Sequence, residues 1–310
     1  MTVRGFQLIR NLLEMIRFSH TLFALPFALL AATMAWFTPT TAHEVSFSWV
    51  HLLGILVAMV GARSAAMAFN RLVDRKIDAG NERTKNRHLP SGKLSVFSVV
   101  VFTIVSTLVY LAGSALFLPN YLPLVAALPV LFVLLGYSYT KRFTSLAHFW
   151  LGLALALAPI CAWIAIRGFE VMAIPADILP AVILGAAVLF WVSGFDMIYA
   201  CQDFEFDRDA KLNSIPVRLG ISGALRLAAI CHAIMVLLLV ALMFLHHIAG
   251  PDLNLGWIYA IGVAGIAGLL IYEHRLVKPD DLTRVNIAFF NINVVVSIGL
   301  FLVATIDLLV

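Results

Sequence analysis

Residues 49–78 read WVHLLGILVAMVGARSAAMAFNRLVDRKID. Up to Asn70 the stretch is apolar apart from His51, Arg63 and Ser64, and then Arg71, Asp74, Arg75, Lys76 and Asp78 crowd into eight positions. A helix needs about 20 apolar residues to cross a bilayer. Ionisable side chains are expensive in hydrocarbon, so a burst of them directly after such a run marks the point where the helix leaves it. The stretch therefore reads as a transmembrane helix that delivers a cluster of acids to one membrane face.

The rest of the chain follows the same pattern. Of its 310 residues 62% are hydrophobic and 12% charged, with a mean hydropathy of +0.98. A soluble domain carries about 25% charged residues, so a water-soluble fold is excluded. Nine apolar runs are long enough to span, at about 18–38, 48–69, 95–117, 120–139, 145–166, 177–200, 220–246, 255–272 and 286–309. The first is longer than a signal-peptide core of about 7–15 residues and reads as a true span. With a cytoplasmic N-terminus, every one of the 21 lysines and arginines falls in a cytoplasmic segment except Arg63, inside the second span, and Arg167. That bias is the positive-inside signature. It places the long segments 70–94 and 201–219 on the cytoplasmic side, and it accounts for the net charge of +4 without a nucleic-acid partner. The three cysteines are too few and too scattered for a disulfide framework or a zinc site. The expectation is an all-α integral membrane protein forming one domain over 1–310. Each acidic segment follows an even-numbered span, which suggests two four-helix pseudo-repeats plus a ninth helix.

The chemistry concentrates in those two segments. Asn70, Asp74 and Asp78 are spaced i, i+4, i+8, so they share one face if the helix continues through them. Asp203, Glu205, Asp207 and Asp209 cluster whether the backbone is helical or extended. Oxygen ligands of this kind suit Mg²⁺, which commonly bridges carboxylates to phosphates. The intervening bases, Arg83, Arg87, Lys141 and Arg142 among them, suit a diphosphate. A polar island, Tyr137-Ser-Tyr-Thr-Lys-Arg142, ends the fourth span. Asp196 is an intramembrane carboxylate, hence a functional candidate or a partner for Arg63. His246 and His247 fall at the far end of the seventh span, and Gly262, Gly265 and Gly268 point to close helix contact.

Asn70-Arg-Leu-Val-Asp74-Arg-Lys-Ile-Asp78 with Arg83-Thr-Lys-Asn-Arg87 resembles the first signature of the UbiA superfamily of intramembrane prenyltransferases, and Tyr199-Ala-Cys-Gln-Asp203-Phe-Glu-Phe-Asp207 resembles the second. The resemblance covers nearly the whole chain. It implies a helical bundle around a central cavity and transfer of a polyprenyl group from its diphosphate to an aromatic acceptor. It also implies Mg²⁺ held by Asn70, Asp74 and Asp78 on one side and by Asp203 and Asp207 on the other. In the same way it implies that Arg83, Arg87 and Lys141 grip the diphosphate, that Tyr137 lies near the allylic carbon, and that Asp203 polarises or deprotonates the acceptor. The chain is most similar to the 4-hydroxybenzoate polyprenyltransferases of ubiquinone synthesis. The stretch from Tyr199 to Asn213-Ser-Ile-Pro216 also resembles the branch that prenylates an aromatic acid in menaquinone synthesis by the futalosine route. An acceptor carboxylate calls for an arginine, and Arg17 at the mouth of the first span is the candidate, unless it is only a membrane anchor. The resemblance further implies an inner-membrane enzyme with its site facing the cytoplasm and no obligate protein partner. The rival classes are an ion-coupled transporter, whose charges belong at the midplane, and a CDP-alcohol phosphotransferase, whose aspartates belong in one contiguous motif.

Overall fold

The computed structural model describes residues 3–16, 23–247 and 249–310. These residues are overwhelmingly helical, with no strand among them beyond an isolated bridge between Lys278 and Asp281. Two short helices come first, α1 (Val3–Met15) and α2 (Leu25–Phe37). The long ones are α3 (Trp49–Gly80), α4 (Val96–Ala115), α5 (Leu122–Thr140), α6 (Ala147–Ala173) and α7 (Leu179–Ala200). The short α8 (Phe204–Asp209) leads into α9 (Ile215–Met243) and α10 (Trp257–Leu276), and a π-helical turn (Ile287–Ile292) runs into α11 (Asn293–Leu309).

Eight segments are long and apolar enough to cross a membrane, and they match the second to ninth expected spans. The first differs. Its described helix, α2, has 13 residues, short of the roughly 20 that a crossing takes. Residues 17–22, with Arg17, lie outside the described residues. Upstream, α1 is a helix that the sequence reading left as a plain cytoplasmic segment. It buries Leu12, Met15 and Ile16 against Ala68, Leu94 and Val99.

Local signals explain the helix ends. Ser48, Ser95 and Ser214 cap α3, α4 and α9, each side chain accepting a backbone N–H in the first turn, which satisfies one of the otherwise orphaned donors there. Pro123, Pro180 and Pro216 sit in first turns, where no amide hydrogen is needed. Near the start of α9, Gly220 adopts φ 72° and breaks the helix at the expected start of that span, a conformation natural to glycine. Small residues let helices touch. A Cβ on Gly61 would stand 2.5 Å from the backbone N of Tyr110, and one on Gly113 would stand 2.5 Å from that of Ala58, so α3 and α4 meet backbone to backbone. In α10 only Gly262 serves that role, against Val303; Gly265 and Gly268 meet nothing within 4 Å.

The central helix is α7, packed between α6 and α9 and reached by α2. Its Trp191, Val188 and Met197 are wholly enclosed. The periphery is the reverse, with Phe97 77%, Phe132 73% and Leu237 67% exposed. Large apolar side chains left bare on helix after helix are stable against lipid, not water. At the end opposite the acids, Arg167 is not the loop charge its sequence position suggested. It lies at a break inside α6, 0% exposed. It donates through Nε and Nη2 to the two Asp177 oxygens at 2.9 and 2.6 Å, and to the carbonyls of Ala35, Thr38 and Pro39. Glu170 accepts the backbone N–H groups of Thr41, Ala42 and His43. These groups fasten the α2–α3 connection onto α6 and so fix where α3 begins.

Asp177→Ala leaves the Arg167 charge uncompensated and is expected to destabilise the protein by about 3–5 kcal/mol, whereas Arg167→Met combined with Asp177→Leu regains most of that loss. Thermal unfolding of the detergent-solubilised variants checks both.

Candidate active site

The C-terminal end of α3 runs on as helix past the membrane-leaving point to Gly80. Asn70, Asp74 and Asp78 therefore form one row, and Asn70 Nδ2 donates to Asp74 Oδ2 at 2.8 Å. The second cluster is helical as well, a 3₁₀ turn Cys201–Asp203 followed by α8. That geometry separates its acids. Asp203 and Asp207 turn inward and are buried, while Glu205 and Asp209 stay exposed and engage Arg208. The end of α5 brings Tyr137 and Lys141 between the two rows.

These parts enclose a chamber of about 270 Å³. Asn70, Asp74, Asp78, Arg83, Arg87, Tyr137, Lys141, Asp203 and Asp207 all line it, so every site residue expected from the sequence converges there, Arg17 excepted. Each carboxylate has a basic partner. Arg83 forks onto Asp203, Nε to Oδ1 at 2.9 Å and Nη2 to Oδ2 at 2.5 Å, and its Nη1 donates to the Tyr199 hydroxyl at 3.0 Å. Asn81 Nδ2 adds a donor to Asp203 at 3.3 Å. Arg87 meets Asp78 at 2.7 Å, Arg142 meets Asp74 at 3.3 Å, and Lys141 meets Asp207 at 3.4 Å. Burial works against the Arg83 charge, but the hydrogen bond and charge of Asp203 outweigh it and raise its pKa above the ordinary value.

Among the described residues, no three His, Cys, Asp or Glu side chains converge tightly enough to hold a metal by themselves. The donor set nevertheless suits a hard cation. Asp78 Oδ2 is buried without a hydrogen bond, and the oxygens are all carboxylate or amide. Mg²⁺ asks for little more, since it keeps waters and takes one or two carboxylates together with phosphate oxygens.

A second cavity, about 170 Å³, adjoins the chamber and shares Arg63, Met67, Asn70, Tyr137, Leu151 and Leu155 with it. Its remaining wall is alanine, leucine and aromatic surface from α2 to α6, reaching Ile55, Phe117, Ala162 and Ala165. On α3 the distance from Arg63 to Ile55 is eight residues, or about 12 Å of depth. A charged chamber at the membrane face thus opens into an apolar slot running toward the opposite face.

A model of the UbiA prenyltransferase family matches residues 24–295. The chain belongs to that family. It is an enzyme, a prenyltransferase, and the transporter and CDP-alcohol phosphotransferase alternatives fall. The 4-hydroxybenzoate octaprenyltransferase of Psychromonas ingrahamii is 31% identical over 261 residues, covering 81% of this chain and 84% of the relative. That of Nitrosospira multiformis is 30% identical over 243 residues, 78% of each. Among solved structures, the apo UbiA homologue from Aeropyrum pernix K1 superposes with a TM-score of 0.80 at 32% identity, covering 93% of this chain and 98% of its own. A UbiA homologue from Archaeoglobus fulgidus bound to GPP and Mg²⁺ shares the fold, with a TM-score of 0.63 at 20% identity, covering 95% and 99%.

Two residues of this prenyltransferase escaped or misled the sequence reading. Asp196 pairs with His148 rather than with Arg63; His148 Nδ1 lies 2.7 Å from Asp196 Oδ2. The sequence signal for His148 is only that of a histidine one residue into an apolar helix. Arg63 forms no ion pair among the described residues, and its Nε is buried without a partner. A guanidinium fork is geometrically specific. Arg83→Lys is therefore expected to resemble Arg83→Ala rather than the parent enzyme, with prenyl transfer lowered about 10²-fold or more in both, as product formation per unit of folded enzyme measures.

Proposed function

We propose that this enzyme transfers a polyprenyl group from a polyprenyl diphosphate to an aromatic hydroxy acid of the 4-hydroxybenzoate type, with Mg²⁺, in respiratory quinone synthesis. The observation that carries the reading is the joined pair of cavities, one lined by paired acids and bases, the other by hydrocarbon. An amphiphile with a strongly anionic head and a long apolar tail is the ligand such a shape complements. The names of the curated relatives and the GPP, DMAPP and Mg²⁺ bound by the Archaeoglobus homologue support the substrate classes.

In this reading Asn70, Asp74 and Asp78 hold metal on one wall, and Asp203 and Asp207 hold it on the other. Bound there, Mg²⁺ supplies charge neutralisation for the departing diphosphate. Arg83, Arg87 and Lys141 then exchange their carboxylate partners for diphosphate oxygens, so the site's net charge is balanced before and after loading. These preset cations stabilise the negative charge that grows on the leaving group as the allylic C–O bond ionises. Tyr137, which lines both cavities, presents its ring where the allylic carbon emerges. The apolar slot keeps water from the cation. The acceptor ring attacks, and its carboxylate needs a cation. Arg17 was the sequence's candidate; Arg63, unpaired at the junction of the cavities, is the one the described chamber offers. By the positive-inside bias the enzyme sits in the cytoplasmic membrane with its chamber facing the cytoplasm.

Purified enzyme in liposomes with Mg²⁺, geranyl diphosphate and 4-hydroxybenzoate is expected to form prenylated acid, and to lose it with EDTA, with Asp74→Ala and with Asp203→Ala. Product from a dihydroxynaphthoate instead would keep the reaction and move the pathway to menaquinone; product from neither would overturn the aromatic acceptor. Ala162→Phe should fill the deep end of the slot. It is expected to spare turnover of short donors and to suppress that of long ones, read from product chain length in a mixed-donor competition.

A further inference from the structure

The pair formed by Asp196 and His148 sits in the wall of the chamber, outside both acid rows. Asp196 is seven residues before Asp203, about 10 Å deeper along α7, and because Asn81 touches Asp203 this brings it nearer the level of Asp74 than that of Arg63. Asp196 lines the chamber together with Tyr137, which also lines the slot. The Asp196 side chain is 16% exposed, and that exposure is to the chamber it lines; the His148 ring behind it is wholly enclosed.

The tautomer follows from the partners. The backbone N–H of Ile215, at the start of α9, points at His148 Nε2 at 3.4 Å. A backbone N–H only donates, so Nε2 accepts and the ring proton is on Nδ1. Nδ1 then donates to Asp196 Oδ2 at 2.7 Å. The described residues give the other carboxylate oxygen no hydrogen bond. The ring is thus held through both of its nitrogens. A neutral imidazole held at both nitrogens thus fixes one oxygen of a carboxylate that lines the chamber. This is the arrangement by which a second group orients a base.

The reaction needs a base. Transfer breaks the allylic C–O bond, whose electron pair leaves on the diphosphate. A ring π pair forms the new C–C bond and leaves a cationic ring carrying one hydrogen too many. The C–H pair must return to the ring and the proton must go to an acceptor. Asp203 is forked by Arg83 and donated to by Asn81, and in the reading above it turns to the metal when the site is loaded, so it is committed elsewhere at the moment the proton leaves. We infer that Asp196, oriented by His148, is the general base that removes the ring proton of the acceptor. His148 is a positioning residue and does not touch the substrate. The inference rests on the aromatic-acceptor reading above.

The test compares the parent enzyme with Asp196→Asn, His148→Leu and His148→Gln in detergent with Mg²⁺. It reads geranyl diphosphate affinity, single-turnover prenylation of 4-hydroxybenzoate, and the rate ratio between normal acceptor and acceptor deuterated beside the hydroxyl. Asp196→Asn is expected to keep donor affinity and to slow prenylation about 10²-fold or more. It should also show a larger primary isotope effect than the parent, because proton removal becomes the slow step. His148→Leu should move all three readings the same way, and His148→Gln, whose amide can still donate to Asp196, should recover part of the rate. Slow variants with an unchanged isotope ratio, or with donor affinity falling in step with rate, would make the pair purely structural and overturn the assignment. A parent enzyme that prenylates no arene would remove the acceptor reading and this assignment together, whereas a parent that does so leaves the variants to decide the base alone.

Discussion

Everything at the acidic face depends on one constraint. A carboxylate held at the edge of hydrocarbon must be neutralised, and the choice of neutralising partner is the site. In the described residues each of the four inward aspartates of the two motifs meets a base: Asp74 with Arg142, Asp78 with Arg87 and more distantly Arg71, Asp203 with Arg83 and Asp207 with Lys141. Burial of a charge without such a partner would cost several kcal/mol. The same bases are the natural clamps for a diphosphate. On the proposed reading the site is a set of exchangeable ion pairs, stable without ligand because each charge is answered, and able to take metal and diphosphate because each answer can be swapped.

Such an exchange works only if the backbone does not move with it. The structure anchors α3, which carries Asn70, Asp74 and Asp78, at its far end and along its length. At the far face, Arg167, Asp177 and Glu170 use buried charges to fix the chain entering α3. Along its length, Gly61 and Gly113 bring α3 and α4 into backbone contact. α7, which carries Asp196 and leads to Asp203, is the most enclosed of the long helices. Rigid spans with mobile side-chain pairing at their ends are what preorganised electrostatic catalysis requires.

Much of this was legible in the sequence because hydrocarbon imposes simple rules. Span lengths, the sidedness of lysine and arginine and the i, i+4 spacing of the acids are one-dimensional signals, and eight of the nine expected spans correspond to long apolar helices. What stayed hidden was pairwise. Positive-inside counting treats Arg167 as a surface charge, but only the fold brings Asp177 and three carbonyls to it. Whether Asp203 to Asp209 is helix or strand is undecided by alternation, since aromatic and acidic residues alternate at every second position. The 3₁₀ turn settles it, turning Asp203 and Asp207 inward and Glu205 and Asp209 out.

The partner of Asp196 shows how far such counting reaches. An unpaired arginine and an intramembrane carboxylate invite pairing, yet Arg63 and Asp196 both line the chamber without forming an ion pair, Arg63 at its junction with the slot. Keeping two opposite charges from each other in a low-dielectric wall forgoes a favourable interaction. Evolution by packing alone would close that gap, since buried polar side chains otherwise serve to join helices. On the proposed reading, a cavity lined by that arginine and by a histidine-braced carboxylate complements the two demands of an aromatic hydroxy acid undergoing substitution, a partner for its acid group and an acceptor for its ring proton.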